Sequence, residues 1–220
     1  MKYPHLFKNF FTEDEMSDLK FYINNLLKNS KRVEIKNLTW DQIYGTVTAL
    51  MIDKHFGRVQ ITLPPEKWPN NIVNKLSDAA KTLDPNCEIK YLSFAKYSPA
   101  YGRPQLTPHM DNPKKESFLF DIQLSSNIQW PIMVDDKEYI LEDNDILVMD
   151  VQRQAHWRKP TKFKSDNYVD MIFVSFENEE LELPIESEQK EAAKKYDDEY
   201  HKQIHKIYPN YVHKQRLPLK

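Results

Sequence analysis

Apolar positions recur at helical spacing twice in the first part of the chain. Met16, Leu19, Ile23, Leu26 and Leu27 make one stripe, and Thr12 and Glu15 ahead of it have the spacing of a capping box. Residues 13–28 therefore read as an amphipathic helix whose stripe lies against a sheet. Pro69 suits a first helical turn, and Ile72, Leu76, Ala79 and Leu83 predict a second helix over 69–83. From about residue 88 the pattern changes to short β-rich segments at 89–97, 118–124, 128–134, 138–141, 146–150 and 168–176. Asn, Asp and Ser clusters such as Ser125-Ser126-Asn127 and Asp143-Asn144-Asp145 separate them as turns. After Pro184 the chain becomes charged, and Ala193, Tyr196, Tyr200, Ile204 and Ile207 form a last helical stripe. Helices followed by strands with short polar connections predict an α+β, mainly β architecture. The expected form is an antiparallel sandwich or jelly roll with helices packed on one sheet and a C-terminal helical tail.

Composition narrows the class without changing that picture. With 220 residues, 40% of them apolar and 29% charged, one globular domain is the default. Residues 1–180 read as the jelly-roll domain with its N-terminal helices, and 181–220 as a charged helical extension. Cys87 stands alone, so neither an internal disulfide nor a thiolate zinc site is available, and a reducing, cytoplasmic setting follows as the expectation. The first eleven residues lack the unbroken apolar core of a secretory signal, and no run approaches the ~18 apolar residues of a membrane helix. The Asn37-Leu38-Thr39 sequon then reads as accidental. A net charge of −2 argues against general affinity for nucleic acid or anionic membrane. Only the C-terminus, with Lys202, Lys206, Lys214, Arg216 and Lys220, is locally basic, and it reads as a solvated or surface-packed end.

The candidate chemistry lies in His109-Met110-Asp111 and, well downstream, His156 in Ala155-His156-Trp157-Arg158. Alternate residues of a strand share a side, so His109 and Asp111 can converge on one metal with Met110 turned away. His156 must arrive from another strand. Two imidazoles and one carboxylate on one face of a metal leave three positions open, the ligand set of mononuclear non-haem Fe(II) oxygenases. By the same parity Arg158 projects to the side of His156, where a buried cation needs an anionic partner such as a cosubstrate carboxylate. A His-x-Asp triplet also occurs by chance as a surface or hydrogen-bonded feature. His201 and His205 sit at i, i+4, a zinc-compatible spacing that lacks the intervening Glu of the usual helix motif.

Four segments in order go beyond spacing: Tyr97-Ser98-Pro99-Ala100-Tyr101-Gly102, Thr107-Pro108-His109-Met110-Asp111-Asn112-Pro113, Leu141-Glu142-Asp143-Asn144-Asp145-Ile146-Leu147 and His156-Trp157-Arg158. The succession resembles the Fe(II)- and 2-oxoglutarate-dependent dioxygenases, in particular the prolyl-hydroxylase-like branch and its small bacterial or phage members. Leu6 to Thr12 is similar to the start of that branch, a short strand leading into a helix. The resemblance spans roughly residues 5–177. It implies a double-stranded β-helix with His109, Asp111 and His156 as iron ligands, and Tyr97 at a cosubstrate or pocket contact. It further implies decarboxylation of 2-oxoglutarate to succinate and carbon dioxide, coupled through O2 to hydroxylation of a peptidyl or small-molecule substrate.

One departure stands out. The family commonly places an Arg or Lys about ten residues after the second His to hold the distal carboxylate of 2-oxoglutarate, and this chain has Asp166, Asn167 and Tyr168 there. Arg158 is the expected replacement, because a guanidinium can grip a carboxylate bidentately. Lys164 and Arg103 are the runners-up. Trp130, Trp157 and Tyr101 are candidate aromatic walls of the pocket, or plain core residues, and Lys114 and Lys115 could greet an acidic substrate from a solvated turn. Two other classes stay open at this stage: a jelly-roll binding module, and a cupin-like metalloenzyme that does not use 2-oxoglutarate.

Overall fold

Thr12 starts the first helix as its spacing to Glu15 predicts. Its hydroxyl accepts from the Glu15 N–H, and the Glu15 carboxylate accepts from the Thr12 N–H, closing a capping box at the head of α1 (Glu13–Asn29). The computed structural model describes residues 3–35, 49–111, 116–178, 180 and 186–211. The Asn37 sequon, Lys114, Lys115, Lys214, Arg216 and Lys220 lie outside the described residues. The second helix, α2 (Asn70–Lys81), follows Pro69, which takes the N-cap position one residue before the turn expected for it.

Twelve strands are described: β1 (His5–Phe7), β2 (Arg32–Glu34), β3 (Leu50–Asp53), β4 (Arg58–Leu63), β5 (Glu88–Tyr97), β6 (Leu106–His109), β7 (Glu116–Ser126), β8 (Ile132–Val134), β9 (Lys137–Tyr139), β10 (Ile146–Met149), β11 (His156–Arg158) and β12 (Val169–Glu177). They form an eight-stranded sheet in the order β1-β10-β7-β12-β5-β4-β3-β2, mixed because β2 and β3 run parallel, and a four-stranded sheet in the order β6-β11-β8-β9. From β5 onward the chain passes repeatedly between the two sheets, so residues far apart in sequence become neighbours. The strand expected at 128–134 begins only at Ile132, since Pro131 has no N–H to give a ladder.

Period-two alternation divides the large sheet into two faces. Phe94, Phe120, Ile122, Val148, Ile172 and Val174 point to one side and pack with Leu19 and Ile23 of α1 and Ile72 and Leu76 of α2. Tyr97, Leu119, Met149 and Met171 point to the other and meet Ile132 and Val134 of the small sheet, with Trp130 and Phe163. The expected strand-plus-helix layering is present.

The C-terminal stripe also packs. In α3 (Glu186–Ile207), Tyr200 and Ile204 bury with Tyr211 against Ala155 and Trp157, on the side of the small sheet away from the large one. Residues 186–211 thus contribute a helix packed on the small sheet, with Lys202 and Lys206 exposed. No helix among the described residues is long and apolar enough to cross a membrane.

One turn sets much of the site's position. Asp53 accepts from the backbone N–H of His55 and Phe56, shaping the β3–β4 turn. That turn is clamped to the 98–105 segment: Ser98 N–H donates to Gly57 O at 3.0 Å, and the Gln105 side chain donates to His55 O at 2.6 Å. Gly57 has φ +61, and a Cβ there would lie 2.3 Å from the carbonyl carbon of Arg103. Neither a left-handed Ala nor that backbone clash is tolerable without movement. Gly57→Ala is expected to lower stability by about 2 kcal/mol or more, read as a reduced urea midpoint at unchanged slope.

Candidate metal centre

His109 ends β6 and His156 begins β11, and the antiparallel register sets them directly opposite each other. Their ring centroids are 4.3 Å apart. Asp111 follows two residues after His109, with its N–H held by Val151 O at 2.9 Å, and Met110 between them packs toward α3. Asp111 Oδ1 lies 3.5 Å from His109 Nε2 and 3.9 Å from His156 Nε2. One ligand atom from each of the three falls within 4.8 Å of the others, the one such group of three among the described residues. The parity argument from sequence therefore holds in three dimensions, and the far ligand arrives from the neighbouring strand.

The second ring nitrogens settle which atoms face inward. His109 Nδ1 is 2.8 Å from Thr107 O, and His156 Nδ1 is 3.2 Å from Gln154 O. A carbonyl only accepts, so each Nδ1 carries the proton and each Nε2 keeps a lone pair turned toward Asp111. Burial, reinforced by the adjoining His109 ring, pushes the His156 imidazolium down to a pKa of about 4, which keeps that ring neutral near pH 7. Burial opposes the charge on Asp111, but the adjoining His109 and His156 rings and the Arg58 guanidinium outweigh it and hold the carboxyl below its usual value. Two neutral imidazole nitrogens and one carboxylate are a donor set that suits a divalent iron ion.

Arg158 turns inward, as parity predicts, but its guanidinium is already engaged. It donates to Asp121 Oδ2 at 2.9 Å and to Trp130 O at 2.7 Å, and both members of the ion pair are buried. Burial raises the Asp121 carboxyl although Arg158 pulls it the other way. The runners-up do not face the centre: Lys164 is exposed on a turn, and Arg103 lies over the Tyr211 ring at 4.3 Å. Of the proposed aromatic walls, Trp130 lines the space between the sheets, with its ring 4.9 Å from that of Tyr97. Trp157 points away from the large sheet against Tyr196, and Tyr101 packs at the margin of the helix-side core. His201 and His205 meet aromatic rings, chiefly Tyr211.

Two residues escaped the sequence reading. Asp121 carries no motif. Arg58 sits opposite Tyr97 in the β4–β5 ladder, and its Nη1 donates to the Tyr97 hydroxyl at 2.7 Å. Recognising β4 and its register with Tyr97 would have found it.

No protein-family model and no curated protein matches the sequence. Solved structures do match in shape. A prolyl-4-hydroxylase from Pseudomonas putida has 11% identity and a TM-score of 0.56, over 80% of this chain and 92% of its own. The viral collagen prolyl hydroxylase of Paramecium Bursaria Chlorella virus-1, solved as its 2-oxoglutarate complex, has 13% identity and a TM-score of 0.53, over 80% and 97%. The chain shares the fold of these prolyl hydroxylases. HygX from Streptomyces hygroscopicus, solved with nickel, 2-oxoglutarate and hygromycin B bound, shares that fold at 9% identity and a TM-score of 0.55, over 81% of this chain and 84% of its own.

Proposed function

We propose that the chain is an Fe(II)- and 2-oxoglutarate-dependent oxygenase built on a double-stranded β-helix, hydroxylating a peptidyl or small-molecule substrate. One observation carries the reading: His109, Asp111 and His156, from two strands and the loop after one of them, present ligand atoms within 4.8 Å of one another. A binding module has no use for that convergence in a half-buried pocket. The alternation of β5 to β12 between two sheets supports the jelly-roll description. The buried, lone Cys87 agrees with a cytoplasmic protein.

In this reading the two Nε2 atoms and the Asp111 carboxylate would hold the iron. Bound there, iron and 2-oxoglutarate supply the oxidising power for C–H hydroxylation with O2. The protein's own contributions are geometric and electrostatic. Thr107 O and Gln154 O fix the tautomer and tilt of the two imidazoles. Tyr97, Trp130 and Phe163 wall the space between the sheets and exclude water beside the metal. Tyr97 is the pocket contact for the cosubstrate, and Arg158 supports the inner end of the pocket through Asp121.

The substrate class rests on chemistry shared with similar folds. Collagen and hygromycin B appear in the names of two of them, so a peptide and a polar small molecule both fit such a site. A metalloenzyme that ignores 2-oxoglutarate is the second reading, favoured by the commitment of Arg158 to Asp121. Anaerobically purified protein given Fe(II), 2-oxoglutarate and O2 is expected to form succinate slowly even without a substrate, and chelation of the iron is expected to stop it. Tight iron binding with no 2-oxoglutarate consumption would decide for the second reading.

A further inference from the structure

One short turn holds two of the three candidate ligands. It joins β10 in the large sheet to β11 in the small one, and its ends are pinned: Val151 is fully buried in the core between the sheets, and Ala155 in the core beneath α3. Val151 O accepts the Asp111 N–H at 2.9 Å, and Gln154 O accepts from His156 Nδ1 at 3.2 Å. The separation of those two carbonyls therefore sets how the carboxylate and the far imidazole stand to each other.

Side chains close this turn as well as backbone. Asp150 O accepts from the N–H of Arg153 at 3.1 Å and of Gln154 at 2.8 Å. The Asp150 carboxylate accepts from the N–H of Gln152 at 3.3 Å and of Arg153 at 3.1 Å, while its ion pair with the exposed Arg153 side chain adds little. Gln154 uses both ends of its carboxamide: Oε1 accepts the Asp150 N–H at 3.0 Å, and Nε2 donates to Asp135 Oδ2 at 3.5 Å. Asp135 has φ +50 in the turn between β8 and β9. Its other oxygen accepts the Ala155 N–H at 3.1 Å, and its own N–H donates to Ala155 O at 2.7 Å. The brace needs a donor and an acceptor on one side-chain carbon, which a carboxamide has and an ionised carboxylate lacks.

We propose that Gln154 and Asp150 are positioning residues of the metal centre: their side chains lock the 150–154 turn, and the turn sets Asp111 against His156. The inference rests on the three-ligand centre and is independent of the cosubstrate or substrate that the metal serves. With the turn loosened all three ligands remain, but they lose their preorganisation.

Co(II) binding to the metal-free protein, followed by the visible d–d absorption of the bound ion, tests this role. Gln154→Ala and Asp150→Ala are each expected to weaken Co(II) about tenfold to a hundredfold. At saturating Co(II) they also change the band positions and intensities, which report how the ligands are arranged. Asp150→Asn keeps an acceptor for the two N–H groups and is expected to retain the wild-type affinity and spectrum. Leu76→Ala, in the helix-side core, lowers stability without touching the turn and is expected to leave the spectrum as it is. Wild-type affinity and spectrum in both alanine variants overturn the positioning role, as does weaker binding with an unchanged spectrum, the signature of general loosening. Should Gln154→Ala not fold, Asp150→Ala beside Asp150→Asn decides alone. Wild-type protein that binds no Co(II) overturns the metal reading itself and the positioning role with it, a result distinct from failure of the turn alone.

Discussion

Replacing His156 by Ala is expected to lower Fe(II) affinity by more than about a hundredfold, beyond the 10–100-fold typical of losing an outer-shell partner. The reason is geometric. His156 supplies the far side of the ligand set, and without it the centre keeps one imidazole and one carboxylate from a single short stretch of chain. Asp111→Asn should act through charge instead, because it removes the one anion that offsets a divalent ion at this place while keeping the shape. Metal content after dialysis and equilibrium titration read both effects, and melting curves of the metal-free proteins separate them from unfolding. His201→Ala, in α3 and away from the centre, is expected to leave the metal in place. Retention of stoichiometric iron by His156→Ala would show that the three side chains do not act as one site.

The second large effect is on stability. Arg158 and Asp121 are each buried to within a few per cent and lie 2.9 Å apart. Removing one partner strands the other charge where water cannot reach it, at a cost of about 3–5 kcal/mol. Asp121 Oδ1 already has no hydrogen-bond partner, so the carboxylate has little to fall back on. Arg158→Met alone is thus expected to bring the urea midpoint down sharply. Adding Asp121→Leu in the same chain should recover most of the loss, since paired apolar side chains of similar volume often match or exceed a buried ion pair. If Arg158→Met were neutral by itself, the guanidinium would not be structural, and its direct use on the cosubstrate would regain its claim.

Legibility in the sequence followed how local each feature is. The capping box at Thr12 and Glu15, the stripes of α1 and α2 and the alternation in β5, β7 and β12 depend on neighbours a few residues away, and the structure reproduces them with shifted ends. The convergence of His109, Asp111 and His156 was readable because alternation through the end of β6 and in β11 turns them to one side, and Trp157 turns the other way by the same rule. What parity cannot supply is the partner on the facing sheet. Arg158 points inward as expected, but nothing near it in sequence announces Asp121. Arg58 was missed because the alternation of Val59, Ile61 and Leu63 was not read as a strand, the β-rich pattern being taken to start near residue 88, and because the place of β4 beside β5, which aligns Arg58 with Tyr97, is set by tertiary pairing alone. The C-terminal stripe was visible too, while its burial against Trp157 required knowing that β11 has an outer face to cover.

The most direct measurement is a crystal structure of the protein grown with Mn(II) and 2-oxoglutarate, with anomalous scattering used to locate the metal. The expected result is one metal peak bound by His109 Nε2, His156 Nε2 and an Asp111 oxygen, chelated by the 2-oxo acid end of the cosubstrate. A metal held elsewhere, or a peak that lacks any one of these three side chains, would contradict the assignment of this centre.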